Sequence, residues 1–339
     1  MRKVYLLRHA RPDFPLGTRL CLGRTDLPLG ALGRMQACRA AQGLADTPFD
    51  AVYCSPLRRA VETARFFTRE VRVLPDLREM DCGDWDGLDF EEIQRRWPEL
   101  YAARGRDLSI PMPNGETAEA VRERAERALR QILTETTGDV LIVAHSFVIR
   151  SLLGDLDLRL PYASVTIWDD PNGIGRVPDV PLTPALAEKL LCAAAPGEKI
   201  EAHCRAVAKE ARRLAELLPL ELDTELLVSA ALLHDVARAE PRHAETGAAW
   251  LHELGYEDAA RLVEQHHDHE GTTPDEAAIL FLADKCVMAD RTVQLAERFQ
   301  KSEAKCLTEA ARAAHARRFA AAERLRAQVN ALCETEVVR

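Results

Sequence analysis

The sequence predicts an α/β domain followed by an all-α domain, and three observations lead there. Up to about residue 178, short apolar runs alternate with helical stretches, the pattern of strands covered by helices. Beyond a Pro-rich segment, "PDVPLTP" at 178–184, strand signals stop, and Ala, Leu, Glu and Arg recur at helical spacing. The length of 339 residues exceeds what one hydrophobic core usually serves. Domains are therefore expected at 1–178 and 184–339, with 179–183 as the linker.

Within the first half, strands are expected at 3–8, 50–54, 71–74 and 139–144, and helices near 30–45, 57–68 and 117–137. Val4 to Leu7 form an unbroken apolar run, which suits a parallel strand buried on both faces. "YASVTIW" (162–168), followed across Pro171-Asn172-Gly173 by "IGRV", reads as a terminal hairpin because the intervening residues carry turn chemistry. In the second half His203 shares a helical face with Val207, Ala211, Leu214 and Leu218. His234 lies below Leu226 and Ala230 with Asp235 beside it, and Asp284 follows Leu280 by one turn. The stretch 296–327, rich in Ala, Arg and Glu, reads as packing helix.

Composition narrows the function. A formal charge of −9, with no dense block of Lys and Arg interleaved with aromatics, argues against a nucleic-acid-binding surface. The nine cysteines are odd in number and scattered without a C-x-x-C, as expected of reduced, mostly buried thiols in a cytoplasmic protein. The first apolar stretch ends at Arg8, too short for a signal peptide, and no segment approaches the length of a membrane span. The expected partners are small molecules rather than membranes or nucleic acids.

Chemistry concentrates at strand ends. Arg8 and His9 follow the first strand, at the carboxyl edge where open α/β sheets bind ligands. "CSPLRRAVETA" (54–64) sets Arg58 and Arg59 at a strand-to-helix junction that favours an anion. "LREMDCGDWDG" (77–87) offers Glu79 on a loop, and "VLIVAHSFVIR" (140–150) ends a strand at His145. Two strands delivering two histidines to one edge among arginines would form a cationic cradle for a phosphoryl group.

These four motifs, in this order, resemble the histidine phosphatase superfamily, the phosphoglycerate-mutase-like fold, across about 178 residues. The resemblance implies a three-layer domain in which His9 is the nucleophile that becomes phosphohistidine. Arg8, Arg59 and His145 would hold the phosphate, with Arg58 as an alternative to Arg59, and Glu79 would donate the proton. Such domains need no metal; sugar phosphates, phosphorylated nucleosides and α-ribazole phosphate all fit similar small members, such as α-ribazole phosphatase, and the compact length favours phosphomonoester hydrolysis over phosphate exchange. The chain departs from the family pattern in Ala10 and Ser146, each replacing a common Gly, and in lacking an Asn in "ARPDFP". Glu116 in "PNGET" either contacts the site or is an acid favoured at a helix start.

Seven of the ten histidines fall between His203 and His269. Inward-facing carboxylates are costly unless paired or bound to a cation, and a divalent ion would satisfy both histidines and both acids at once. The order His203, His234-Asp235, Asp284 resembles the HD-domain metal-dependent phosphohydrolases, over residues 184 to about 300. The resemblance implies that these four bind one divalent ion (Mg, Mn, Fe, Co or Ni), with Lys285 adjacent. His243 and His266 would serve a second ion, with His267 the rival of His266, whereas His252 and His269 are expected to be ordinary core or surface residues. The combined expectation is a bifunctional phosphohydrolase acting on small phosphorylated metabolites or nucleotides. The alternative is a phosphatase whose helical domain senses a nucleotide or metal without catalysis.

Overall fold

Alternation within the strands decides the architecture of the first half. In the computed structural model, which describes residues 2–15, 18–168, 170, 174–269 and 273–338, the chain separates into two compact units, Met1–Val180 and Pro181–Arg339. The first unit runs β1 (Val4–Arg8), α1 (Ala31–Gly43), β2 (Ala51–Cys54), α2 (Arg58–Ala64), β3 (Val71–Val73), α3 (Phe90–Arg96), α4 (Pro98–Arg104), α5 (Ala118–Glu135), β4 (Val140–Ala144), α6 (Ser146–Leu153) and β5 (Val165–Ile167). Its sheet has the order β3-β2-β4-β1-β5, parallel except for β5. Odd and even strand residues enter two different cores. Leu6, Tyr53 and Ile142 meet Val121, Ala125 and Ile132 of α5, whereas Leu7, Val52 and Leu141 meet Ala37 of α1 and Ala60 of α2. A sheet covered on both faces is the three-layer α/β/α arrangement.

Register sets the functional edge. Arg8 pairs with Ala144 and Cys54 with Val143, so β1, β2 and β4 end together. The next residues on each strand, His9, Ser55 and His145, therefore emerge side by side.

Three expectations need adjustment. The helix expected over 57–68 ends at Ala64, because Phe66 and Phe67 turn back to pack on the second core. The terminal hairpin reduces to β5 plus a single bridge from Val165 to Arg176, and Pro178 and Pro181 lack the donors a longer ladder needs. Its expected turn, Pro171-Asn172-Gly173, lies outside the described residues. Helices α3 and α4 had no counterpart among the expected elements.

The second unit comprises α7 (Pro184–Ala194), α8 (Glu198–Leu217), α9 (Thr224–Leu233), α10 (His243–Glu253), α11 (Glu257–Gln265), α12 (Glu276–Lys285), β6 (Val287–Met288), β7 (Arg291–Thr292), α13 (Leu295–Glu303) and α14 (Glu309–Leu332). It is helical, with one addition to the expectation: β6 and β7 make a two-residue hairpin that carries the chain from α12 to α13. Leu227 to Leu233 of α9 and Ala277 to Lys285 of α12 are all buried, so these are the central helices. Among the described residues no helix is long and apolar enough to cross a membrane, and the nine cysteines are free thiols.

Candidate functional sites

The first site grows from the sheet edge. The His9 amide donates to the Ala144 carbonyl at 2.9 Å, and the His9 and His145 rings lie 4.9 Å apart. His9 Nδ1 is 2.8 Å from the Ala10 carbonyl. A carbonyl can only accept, so a neutral His9 carries its proton on Nδ1 and its lone pair on Nε2. Burial, reinforced by Arg59 and Arg8, holds the His9 pKa well below that of a free histidine. Burial also lowers His145, again with Arg59 contributing. His145 Nε2 lies 2.7 Å from Ser55 Oγ, and Ser55 Oγ accepts the Leu57 amide at 3.3 Å. With the Ser55 hydroxyl proton turned to His145 Nε2, the imidazole proton sits on Nδ1. That Nδ1 is buried and has no hydrogen-bond partner among the described residues, a donor left for a ligand.

The arginines are held by backbone carbonyls. Arg59, fully buried, donates to the carbonyls of Thr25 and Gly23, both at 2.8 Å, and its Nε has no partner among the described residues. Asp86, absent from the sequence expectation, fixes that segment by accepting the amides of Gly23, Arg24 and Thr25 at 2.8, 3.0 and 2.8 Å. Arg8 donates to the Leu160 carbonyl and stacks 4.0 Å above the Tyr162 ring, which itself lies 5.7 Å from the His9 ring. Arg150 of α6 adds a further half-buried cation within the electrostatic reach of Glu79. Arg58 is not brought to the histidines: it is exposed and pairs with Glu62 at 3.5 Å.

Glu79 is buried, its Oε1 accepting the Met80 amide at 2.9 Å and its Oε2 the Phe147 amide at 3.3 Å. Burial nevertheless raises its pKa above the usual range, against those amides, Arg59 and Arg8. A carboxyl that keeps its proton longer than usual suits a proton donor. Glu116 does neither thing expected of it. It binds Arg124 at 2.7 and 2.9 Å, and Arg124 in turn donates to the carbonyls of Asp76, Arg78 and Glu79 at 2.7, 2.6 and 3.2 Å. Glu116 thus braces the Glu79 loop, through Arg124 and by accepting the Asp81 amide at 3.2 Å.

The departures from the family pattern have a local reason. Neither Ala10 nor Ser146 adopts the left-handed backbone that would demand glycine. The Ala10 amide donates to Thr63 Oγ1 at 3.0 Å, and Thr63 donates to the Arg59 carbonyl at 2.6 Å, so one hydroxyl ties the residue after His9 to the residue bearing the guanidinium. Thr63→Val strands the buried Ala10 N–H and is expected to cost about 1–3 kcal/mol. The urea midpoint of the first unit measures it; an unchanged midpoint would show the hydroxyl to be dispensable.

The second site lies among the helices. Three imidazoles repeat one arrangement: Nδ1 of His203, His234 and His266 sits 2.8, 2.8 and 2.6 Å from the carbonyls of Ala289, Ala231 and Val263. Each Nδ1 is therefore a donor, and each Nε2 points inward at a carboxylate. His203 Nε2 is 3.1 Å and His234 Nε2 3.7 Å from Asp284 Oδ1; His266 Nε2 is 3.7 Å from Asp235 Oδ1. A neutral Nε2 facing a carboxylate oxygen repels it unless a proton or a cation lies between them. Among the described residues His234 Nε2, His266 Nε2 and Asp235 Oδ1 are buried without hydrogen-bond partners, as ligand atoms of a divalent ion would be.

The donors fall into two groups, and Asp235, expected with His203, His234 and Asp284, falls in the second. His203, His234 and Asp284 form one, and Asp235, His243, His266 and His267 the other. Asp235 joins them, with Oδ2 at 3.7 Å from His234 Nε2 and Oδ1 at 3.1 Å from His243 Nε2. Its side chain follows His234 on the turn that ends α9, between the two clusters. His266 and His267, rivals in the sequence, both fall in the second group. His267 Nε2 lies 2.7 Å from His243 Nε2, a spacing that requires a shared proton or cation. Lys285 donates to Asp284 Oδ2 at 2.6 Å and to the His266 carbonyl at 3.3 Å, linking the groups. His252 is exposed beside Glu257, and His269 is buried near Phe281, so neither joins the cluster.

With this geometry in place, comparison with known proteins is informative. The family model described as the histidine phosphatase superfamily (branch 1) matches residues 4–173, and that of the HD domain matches residues 200–289. The uncharacterized phosphatase PhoE of Bacillus subtilis is 33% identical over 162 residues, 46% of this chain and 78% of that protein. Glucosyl-3-phosphoglycerate phosphatase of Mycobacterium tuberculosis is 32% identical over 188 residues, 52% and 82% of the two chains. The adenosylcobalamin/alpha-ribazole phosphatase of Salmonella typhimurium is 34% identical over 169 residues, 48% and 83%.

Proposed function

From the premise that this chain belongs to the histidine phosphatase superfamily, carries an HD domain and is a hydrolase acting on phosphoric esters, we propose that it holds two separate phosphohydrolase centres for small phosphorylated metabolites or nucleotides. The observation that carries the first is the His9 tautomer, a neutral ring with its Nε2 lone pair free beside buried cations. Nε2 attacks phosphorus, the P–O ester bond breaks, and Glu79 gives its proton to the departing oxygen. Arg8, Arg59 Nε and His145 Nδ1–H offset charge on the transferring phosphoryl oxygens without moving. Water then attacks the phosphohistidine, Glu79 takes its proton, the P–N bond breaks, and phosphate leaves with His9 neutral again. The two named phosphatase relatives support an organic phosphomonoester as the substrate.

Glu79→Gln tests the acid role. It is expected to lower turnover of an alkyl phosphate by about 10²–10⁴-fold. Hydrolysis of an aryl phosphate, whose phenolate leaves without a proton, should suffer far less. Equal losses on both would remove Glu79 from this role.

In the second unit His203, His234, Asp235 and Asp284 would hold one divalent ion, and Asp235, His243, His266 and His267 a second. A divalent ion bound there supplies Lewis-acid polarisation of a phosphoryl group and of water. The chain's part is orientation: three carbonyls pin the Nδ1 protons, and Lys285 holds Asp284. Chelation should abolish turnover of nucleotide or phosphodiester substrates by this unit while sparing phosphomonoester hydrolysis at His9. Loss of both activities together would deny the separation of the two centres. We also propose that the units fold independently, with 1–178 and 184–339 each unfolding cooperatively; insolubility of both pieces beside a stable full chain would refute that.

A further inference from the structure

A cavity of about 660 Å³ opens beside the histidine cluster, reaching His203, Asp235, His267 and Asp284. Much of its remaining wall comes from segments outside the matched HD region of 200–289: Lys199 at the start of α8, and Arg298, Phe299 and Lys305 on or just after α13. This wall is braced. The Phe299 ring lies 4.8 Å from that of Phe319 and 5.2 Å from that of His315, Ser302 Oγ is 2.9 Å from His315 Nε2, and Arg318 of α14 grips Asp268 at 2.7 and 2.8 Å.

The charges on the wall are arranged unlike those at the cluster. Lys285 and Arg238 already face Asp284 and Asp235. Among the described residues Lys199, Arg298 and Lys305 have no carboxylate partner, and Arg298 is tied only through Nε to the Val287 carbonyl at 3.2 Å. Three unpaired cations converging on one cavity, in a chain of net charge −9, mark an anion-binding wall.

We propose that α13 and the chain around it form the recognition half of this site. Its substrate is a phosphorylated metabolite with a second anionic group, phosphate or carboxylate, and an apolar body laid along Phe299. The metal-held phosphoryl group is one end of this ligand; Lys199, Arg298 and Lys305 bind the other. The proposal rests on the metal-hydrolase reading of the second unit, and the following experiment separates the two.

Phenylphosphonate and benzene-1,4-diphosphonate share an aromatic body, resist hydrolysis through their C–P bonds, and differ by one anionic group. Calorimetry on the Mn-loaded full chain should show the diphosphonate binding about tenfold or more tightly than the monophosphonate. The double variant Arg298→Ala/Lys305→Ala should lose most of that preference with Mn content unchanged. Lys305→Glu, a change at an exposed position, should invert it. Binding at the phosphatase site is measured on the chelated, Mn-free chain and subtracted before the preferences are compared. A preference that persists in metal-loaded variants, or is missing from metal-loaded wild type, overturns the proposal. Wild type that takes up no Mn overturns instead the metal reading on which the proposal stands.

Discussion

The His9→Ala chain is expected to lose phosphomonoester hydrolysis by at least about 10⁴-fold, since removal of a nucleophile leaves only positioning and electrostatics. Wild type quenched during turnover should carry phosphate on His9, acid-labile and stable to base. Label on another residue, or undiminished turnover by His9→Ala, would sink the assignment. The pH profile follows from the same environment. Burial with Arg59 and Arg8 depresses the His9 pKa, so the ring stays neutral and nucleophilic well into acid and no activity limb is expected near the pKa of a free histidine. Burial raises the Glu79 pKa, so its proton persists above the usual carboxylate range and is lost as pH rises. Formation of the phosphoenzyme should therefore fall on the alkaline side, and Glu79→Gln should flatten that limb. A limb that survives in Glu79→Gln would belong to another group.

The second large effect is expected at Asp235. Its carboxylate reaches toward both groups of donors, so Asp235→Ala should strip metal from the whole cluster rather than from one half of it. Wild type purified without chelator should hold at least one divalent ion per chain, and His234→Ala should lose it. Metal removal should also lower the melting temperature of the second unit, because Asp284 and the inward-facing lone pairs lose their counter-charge, and re-addition should restore it. Metal analysis by mass spectrometry decides the point: full occupancy in Asp235→Ala would show that Asp235 is no ligand. Phosphomonoester hydrolysis at His9 should be unaffected by the substitution.

Much of this arrangement was legible without coordinates where chemistry and local pattern coincide. Val4 to Leu7 is an apolar run followed by Arg8-His9 and Val140 to Ala144 one followed by His145, so both strands and the edge that His9 and His145 occupy could be read from neighbours in the chain. His203, His234 and Asp284 sit at helical intervals from apolar residues, which made their inward direction readable too.

Partnerships across long sequence separations belonged to the tertiary structure alone. Arg59 is aimed by the Gly23 carbonyl 36 residues away, and Gly23 by Asp86 63 residues away; no periodicity links such positions. Tyr162 enters beneath Arg8 because β5 returns antiparallel to β1, and Glu116 is drawn from the site by Arg124. The division of the histidines into two groups sharing Asp235 likewise depends on how α8, α9, α11 and α12 pack. Sequence sets which side chains a helix turns inward, through the fixed rotation per residue, whereas the distances between atoms on different helices are set only when their surfaces interlock.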